Sequence, residues 1–172
     1  MQKIIYFFLL ILTPFILYAN DTQKYTLSTG DEIRILVYGE RDLTLKIKVD
    51  DDGIISYPFL GNILIKGLSL GEVESKIRSG LKDGYLRNPN VNVSIIEYRP
   101  FFVNGQVKRP GAFPFQPGIT VHKAITIAGG FTERASENSI YVIHNNSTKK
   151  IKINKDDRIK PGDTLSVEES FF

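Results

Sequence analysis

The side chains able to do chemistry are few in this sequence, and they do not converge. Its 2 histidines, His122 and His144, stand apart, cysteine is absent, and neither histidine has a partner at the spacing of a helical metal motif. Both read as ordinary polar residues, one in the first turn of a predicted helix and one at a strand end. Close acidic pairs such as Glu72 with Glu74, or Asp156 with Asp157, are the residue type that glycoside hydrolysis uses. Nothing in the sequence holds either pair across a cleft. Three adjacent aspartates, Asp50 to Asp52, invite a calcium reading, but a calcium loop spreads its oxygen ligands further and adds a glutamate. The glycines from Gly105 to Gly111 and at Gly129-Gly130 have turn spacing, and no nucleophile elbow, phosphate loop or dinucleotide fingerprint is present. The expectation is a protein that is not an enzyme and takes no cofactor and no metal. The aromatic and basic residues between Tyr98 and Phe115 form the one cluster that reads as a contact surface.

Such a surface must be positioned by ordinary packing, because a chain without cysteine has neither disulfides nor thiolate metal sites to hold it. The same absence leaves no cysteine for lipid attachment. Lysines and arginines number 22 against 19 acids and are scattered singly, so the phosphate-facing stripe of a nucleic-acid binder is missing. At the N-terminus Lys3 precedes an apolar run from Ile4 to Leu17, then Ala19 and the polar Asn20-Asp21-Thr22-Gln23. A spanning helix needs about 20 apolar residues; this run is shorter and interrupted by Pro14. Residues 1–19 therefore read as a secretory signal, with cleavage expected between Ala19 and Asn20.

Beyond it the pattern is of short strands with two helices, an α+β class. Period-two alternation predicts strands over residues 32–38 and 43–49, and the Asp52-Gly53 pair predicts a hairpin turn from the latter into residues 54–57. Ser69 and Glu72 form a capping box for a helix that aligns Leu70, Val73, Ile77 and Leu81, with Gly80 and Gly84 marking its end. A strand over 91–98 follows, and Arg99-Pro100 marks a boundary. Next come a strand over 101–107, a turn at Arg109-Pro110-Gly111-Ala112, and an edge over 113–115 kept short by Pro114. Thr120 caps a helix presenting Val121, Ala124, Ile125 and Ala128, ended by Gly129-Gly130, before strands over 140–144, 149–153 and 164–167. The run Thr29-Gly30-Asp31-Glu32-Ile33 is echoed by Pro161-Gly162-Asp163-Thr164-Leu165, a glycine turn feeding a strand with an aspartate free to bond the turn backbone.

Taken in order, these segments resemble the polysaccharide biosynthesis and export family. Tyr25 to Ile35, with Gly30 and Asp31, resembles the opening of its export domain. Val49 to Gly61, with Asp52, Gly53, Pro58 and Gly61, resembles the next signature, followed by Leu68 to Val73 and by Tyr85 to Val91 with Pro89. Val103 to Gly111, with Gly105 and Pro110, then Gly118 to Val121, Ile127 to Thr132 with Gly129 and Gly130, and Lys160 to Leu165 with Pro161, Gly162 and Asp163, are similar to a soluble-ligand-binding β-grasp domain.

The resemblance implies an export domain over 20–99, a β-grasp domain with one helix over 100–169, and a short tail over 170–172. It implies a periplasmic component of a capsule or exopolysaccharide export apparatus: a ring-shaped homo-oligomer forming or extending a conduit for polysaccharide. An inner-membrane polysaccharide co-polymerase and a separate outer-membrane pore protein are the implied partners, since only Glu168 to Phe172 follow the last expected strand, too few for a pore helix. The alternative is a monomeric periplasmic glycan-binding or adaptor protein that docks onto such a complex. Under either reading, Tyr98, Arg99, Phe101, Arg109 and Phe113 are the candidate glycan or partner contacts.

Overall fold

Alternating apolar residues build a first sheet around its most buried strand. In this computed structural model, which describes residues 25–145 and 147–170, strand β1 (Glu32–Val37) turns Ile33, Ile35 and Val37 inward and pairs antiparallel with both β2 (Leu45–Lys48) and β5 (Val91–Glu97). The expected signal segment, its Ala19–Asn20 junction and the last two residues of the tail lie outside the described residues.

The Asp-Gly turn forms, with Gly53 at φ 81° and its amide on the Asp50 carbonyl at 3.0 Å, but it does not join two paired strands. The expected hairpin is replaced by another. Strand β3 (Ile54–Tyr57) pairs with β4 (Gly61–Leu64), while β2 stays with β1. The reason lies in the turn itself, where the Asp50 carboxylate takes the Ile54 amide at 2.6 Å and the Gly53 carbonyl takes the Ile65 and Lys66 amides. Those bonds aim the chain toward β4. Leu43, expected in a strand, closes a 3-10 turn over Arg41–Leu43. Its carbonyl accepts the buried Tyr57 hydroxyl at 2.6 Å, tying the hairpin to the first sheet, and burial pushes the Tyr57 phenol up to about 12.

Helix α1 (Leu70–Lys82) starts at the capping box, where the Glu72 carboxylate accepts the Ser69 amide at 2.7 Å and the Ser69 hydroxyl at 2.5 Å. It buries Val73, Ile77 and Leu81 against the sheet, each with no exposed surface. Gly84 follows the helix in the left-handed region, but Gly80 does not end it: it lies inside, where a side chain would press on Leu60 at 2.9 Å.

A second core begins at β6 (Phe101–Gly105), which pairs antiparallel with the edge strand β7 (Gly111–Phe113). Gly111 is the first residue of β7, at φ 154°, and not a corner of the expected turn at 109–112. The chain instead crosses from Gly105 through Val107, which bridges to Phe131. Helix α2 (Val121–Ile127) buries Val121, Ala124 and Ile125, its Thr120 hydroxyl accepting the Lys123 amide at 3.4 Å. Strands β8 (Ala135–Ile143), β9 (Lys150–Lys152) and β10 (Thr164–Glu169) complete a five-stranded sheet in the order β7-β6-β10-β8-β9. Strands β6 and β10 are central and parallel, with α2 in the crossover between them, the β-grasp arrangement. Ten strands and two α-helices among the described residues give the α+β class.

Candidate functional site

The two glycine-aspartate turns place buried carboxylates on either side of the boundary. Gly30 and Gly162 both adopt left-handed φ, 89° and 82°, and each turn leads directly into a central strand. Asp31 and Asp163 are 0% and 1% exposed, and they are the buried acids among the described residues. Each secures its own turn: Asp31 Oδ2 accepts the Ser28 amide at 2.9 Å and Asp163 Oδ2 accepts the Lys160 amide at 2.8 Å.

A carboxylate removed from water needs its charge matched. For Asp31 the match is Arg99, whose Nη1 lies 3.0 Å from Oδ2 and whose backbone amide lies 2.9 Å from Oδ1. Tyr25 donates its hydroxyl to Asp31 at 2.6 Å while accepting from Arg99 Nη1 at 2.8 Å. Burial first, then the hydrogen bond to Asp31 and its negative charge, holds the Tyr25 phenol far above the usual tyrosine range. Arg99 continues across the boundary, its Nε donating to the Pro161 carbonyl at 3.1 Å. Gly162 donates to the Pro100 carbonyl and Phe102 to the Asp163 carbonyl, at 3.1 and 2.8 Å. A side chain at Gly162 would come within 2.8 Å of Arg99 Nε and 3.0 Å of Asn145, so the close approach of the two turns requires glycine there.

Asp163 has a softer partner. His144 Nδ1 lies 2.9 Å from its Oδ1, with the His144 side chain 38% exposed. His144, read from sequence as an isolated polar residue, is therefore paired. His122 is exposed in the first turn of α2. Among the described residues no group of His, Asp or Glu is placed to hold a metal ion.

The proposed contact residues do not form one surface. Tyr98 is half-buried between Tyr25 and Phe115, with ring centroids 5.1 and 5.5 Å away in edge-on geometry. Arg99 is engaged as above. Phe101 is fully buried and its ring packs 5.8 Å from that of Phe113, so the expectation that Phe101 is a contact is corrected: it faces α2 within the core. Arg109 is exposed elsewhere, donating to the Ile127 carbonyl at 2.8 Å where α2 leaves its last carbonyls free. Gly30, Gly53, Gly61, Gly105, Gly129, Gly130 and Gly162 all take positive φ, and a side chain at Gly105 would lie 2.1 Å from the Val167 carbonyl oxygen. Pro89 and Pro161 are buried, and Pro58 precedes Phe59, a non-glycine residue at φ 64° whose exposed ring lies tilted against that of Tyr85, with centroids 5.0 Å apart.

Beside the joined turns lies an open cleft of about 310 Å³ whose walls come from both halves, with Ser28, Gly30 and Lys66 on one side and Phe102, Asn145 and Gly162 on the other. Phe102 belongs to the Tyr98–Phe115 cluster read from sequence as a contact surface, whereas sequence reasoning missed Lys66 and Asn145, since residues so far apart in sequence meet only when the turns do. The repeated glycine-aspartate pair was the signal that could have located the seam.

This architecture, an export-type sheet and helix joined to a single β-grasp sheet, is met by two family profiles. That of the polysaccharide biosynthesis/export proteins matches residues 19–96, and that of the SLBB domain matches residues 100–149. The chain belongs to the polysaccharide biosynthesis/export family. It is similar to the exopolysaccharide production protein ExoF of Rhizobium meliloti, 33% identical over 84 residues, which are 48% of this chain and 20% of that protein. It is similar also to the polysialic acid transport protein KpsD of Escherichia coli, 29% identical over 128 residues, covering 73% of this chain and 23% of the other. A third relative, the EPS I polysaccharide export outer membrane protein EpsA of Ralstonia nicotianae, is 29% identical over 121 residues, 69% of this chain and 31% of that protein. The chain thus spans under a third of the length of each of these relatives.

Proposed function

We propose that this chain is a periplasmic part of a polysaccharide export apparatus and assembles into a ring that forms or extends a conduit. The observation that carries the reading is the order of two family domains along one chain, joined through Arg99 rather than by a free linker. A ring repeats one interface around an axis, so the halves of each subunit must keep a fixed angle. The Asp31–Arg99–Pro161 connection supplies that angle. Unpaired strand edges at β2, β7 and β9 are available for contact between copies, whereas the outer edge of β5 is covered by α1, whose Glu74 accepts the Val93 amide.

The glycan itself would meet many weak polar contacts, which lets a long polymer slide. No helix among the described residues is long and apolar enough to cross a membrane. An inner-membrane co-polymerase and a separate outer-membrane pore protein are the partners this reading implies.

Two measurements test it. Light scattering of the exported protein across a concentration series should give a closed oligomer, and deletion of the gene should abolish surface polysaccharide while polymer accumulates in the periplasm. A strict monomer at all concentrations, with or without export partners, contradicts the ring and favours the adaptor. Normal surface polysaccharide in the deletion strain contradicts the export role altogether.

A further inference from the structure

We infer that the cleft at the seam of the two halves binds one acidic sugar residue of a saccharide chain, such as a uronate; the inference rests on the export reading above. Its volume, about 310 Å³, is at the lower end of the range for small-molecule sites and suits a single pyranose ring. Three side chains on its walls match the three chemical features of such a residue.

The first is an aromatic plate. Phe102 is 43% exposed although its neighbours Phe101 and Val103 are buried, because alternation along β6 turns it to the sheet face away from α2. The apolar face of a pyranose stacks on such a ring. The second is Asn145, exposed beside Gly162, whose amide can both donate to and accept from ring hydroxyls. The third is Lys66. It is exposed, and no carboxylate lines the cleft with it, so its charge is open to a ligand. Arg99 also reaches the cleft, but Asp31 offsets its charge. The carboxylates of Asp51 and Asp52 belong to the adjacent exposed turn and are not among the walls.

The position of Lys66 is built, not incidental. Its stem lies across Gly53: a side chain there would fall 2.3 Å from Lys66 Cβ and 2.7 Å from Cδ. The Gly53 carbonyl also accepts the Lys66 amide at 3.1 Å. Opposite, the absence of a side chain at Gly162 leaves room for Asn145 and Arg99. Glycines at 53 and 162 thus do more than turn the chain, since they seat a cation and an amide at the mouth of one cleft.

The test is calorimetric titration of the intact exported protein with tetragalacturonate and with its fully methyl-esterified form, which keeps the rings and removes the charges. Millimolar binding of the acid is expected, with the ester weaker by about fivefold, the scale of an exposed ion pair. Lys66→Gln should erase that difference. Phe102→Leu, which keeps apolar bulk but loses the ring, should weaken both ligands by about fivefold, as a lost stacking contact does. Phe59→Ala, at the exposed aromatic pair away from the cleft, should change neither. The inference is overturned if acid and ester bind alike, if Phe59→Ala weakens binding as much as Phe102→Leu, or if neither ligand binds up to about 10 mM. In the last case a deletion strain that still loses surface polysaccharide leaves the export role standing and removes only the cleft.

Discussion

The turns at Asp31 and Asp163 share a local design and differ in what their carboxylates serve. Both place a left-handed glycine before a buried acid that grips the backbone three residues upstream. Asp31 then gathers the hydroxyl of nearby Tyr25 and, from Arg99 far along the chain, a guanidinium and a second amide, whereas Asp163 meets the half-exposed His144 just beyond the end of the neighbouring strand β8. The first carboxylate anchors the joint between the halves and the second locks its own turn. The difference follows from partner chemistry: a guanidinium keeps its charge and can bridge several acceptors at once, while a histidine carries charge only when protonated.

The largest effect that separates the two turns is predicted for Asp31→Ala. It leaves the partly buried Arg99 without its counter-charge and should cost about 3 kcal/mol or slightly more, read as a fall in the denaturant midpoint. Arg99→Met should come next, at about 3 kcal/mol, because it strands Asp31 and also frees the Pro161 carbonyl. Asp163→Asn should cost less, about 1–2 kcal/mol, since an amide oxygen still accepts the Lys160 amide. An equal or larger loss at Asp163 than at Asp31 would break the comparison.

The smallest effect is a pH dependence. The Tyr57 phenol is raised by burial from 10.0 to about 12, so it stays protonated when folded after the unfolded chain has ionised. Its contribution is complete below pH 10 and is lost as pH rises toward 12; Tyr25, raised in the same direction, adds to the same slope. Tyr57→Phe should flatten the alkaline decline in stability measured by urea titration. An unchanged slope would show that Tyr57 ionises as freely when folded.

Much of this molecule was legible before its fold was known, for identifiable reasons. Helix α1 was readable because the Ser69 capping box and the spacing of Val73, Ile77 and Leu81 are local signals that burial reinforces. The alternation in β1 and β5 was equally plain. What failed was pairing: Asp52-Gly53 announced a turn correctly, yet its partner strand was chosen by the Gly53 carbonyl bonding to Ile65 and Lys66, which no local pattern reveals. Of the contact residues, Arg99 came to the seam, while the core claimed Phe101 because an aromatic-rich strand does not declare which face will be covered. The aspartate echo carried more information than its length suggested, since only its burial makes a distant arginine necessary.

The claim that Arg99 couples the two halves is tested most directly by scanning calorimetry of the wild-type protein and of Arg99→Ala. Each half has its own hydrophobic core, so each can melt by itself once uncoupled. A single cooperative transition for the wild type that splits into two in the variant is the predicted result. Two transitions in the wild type, or one unshifted transition in both proteins, would contradict it.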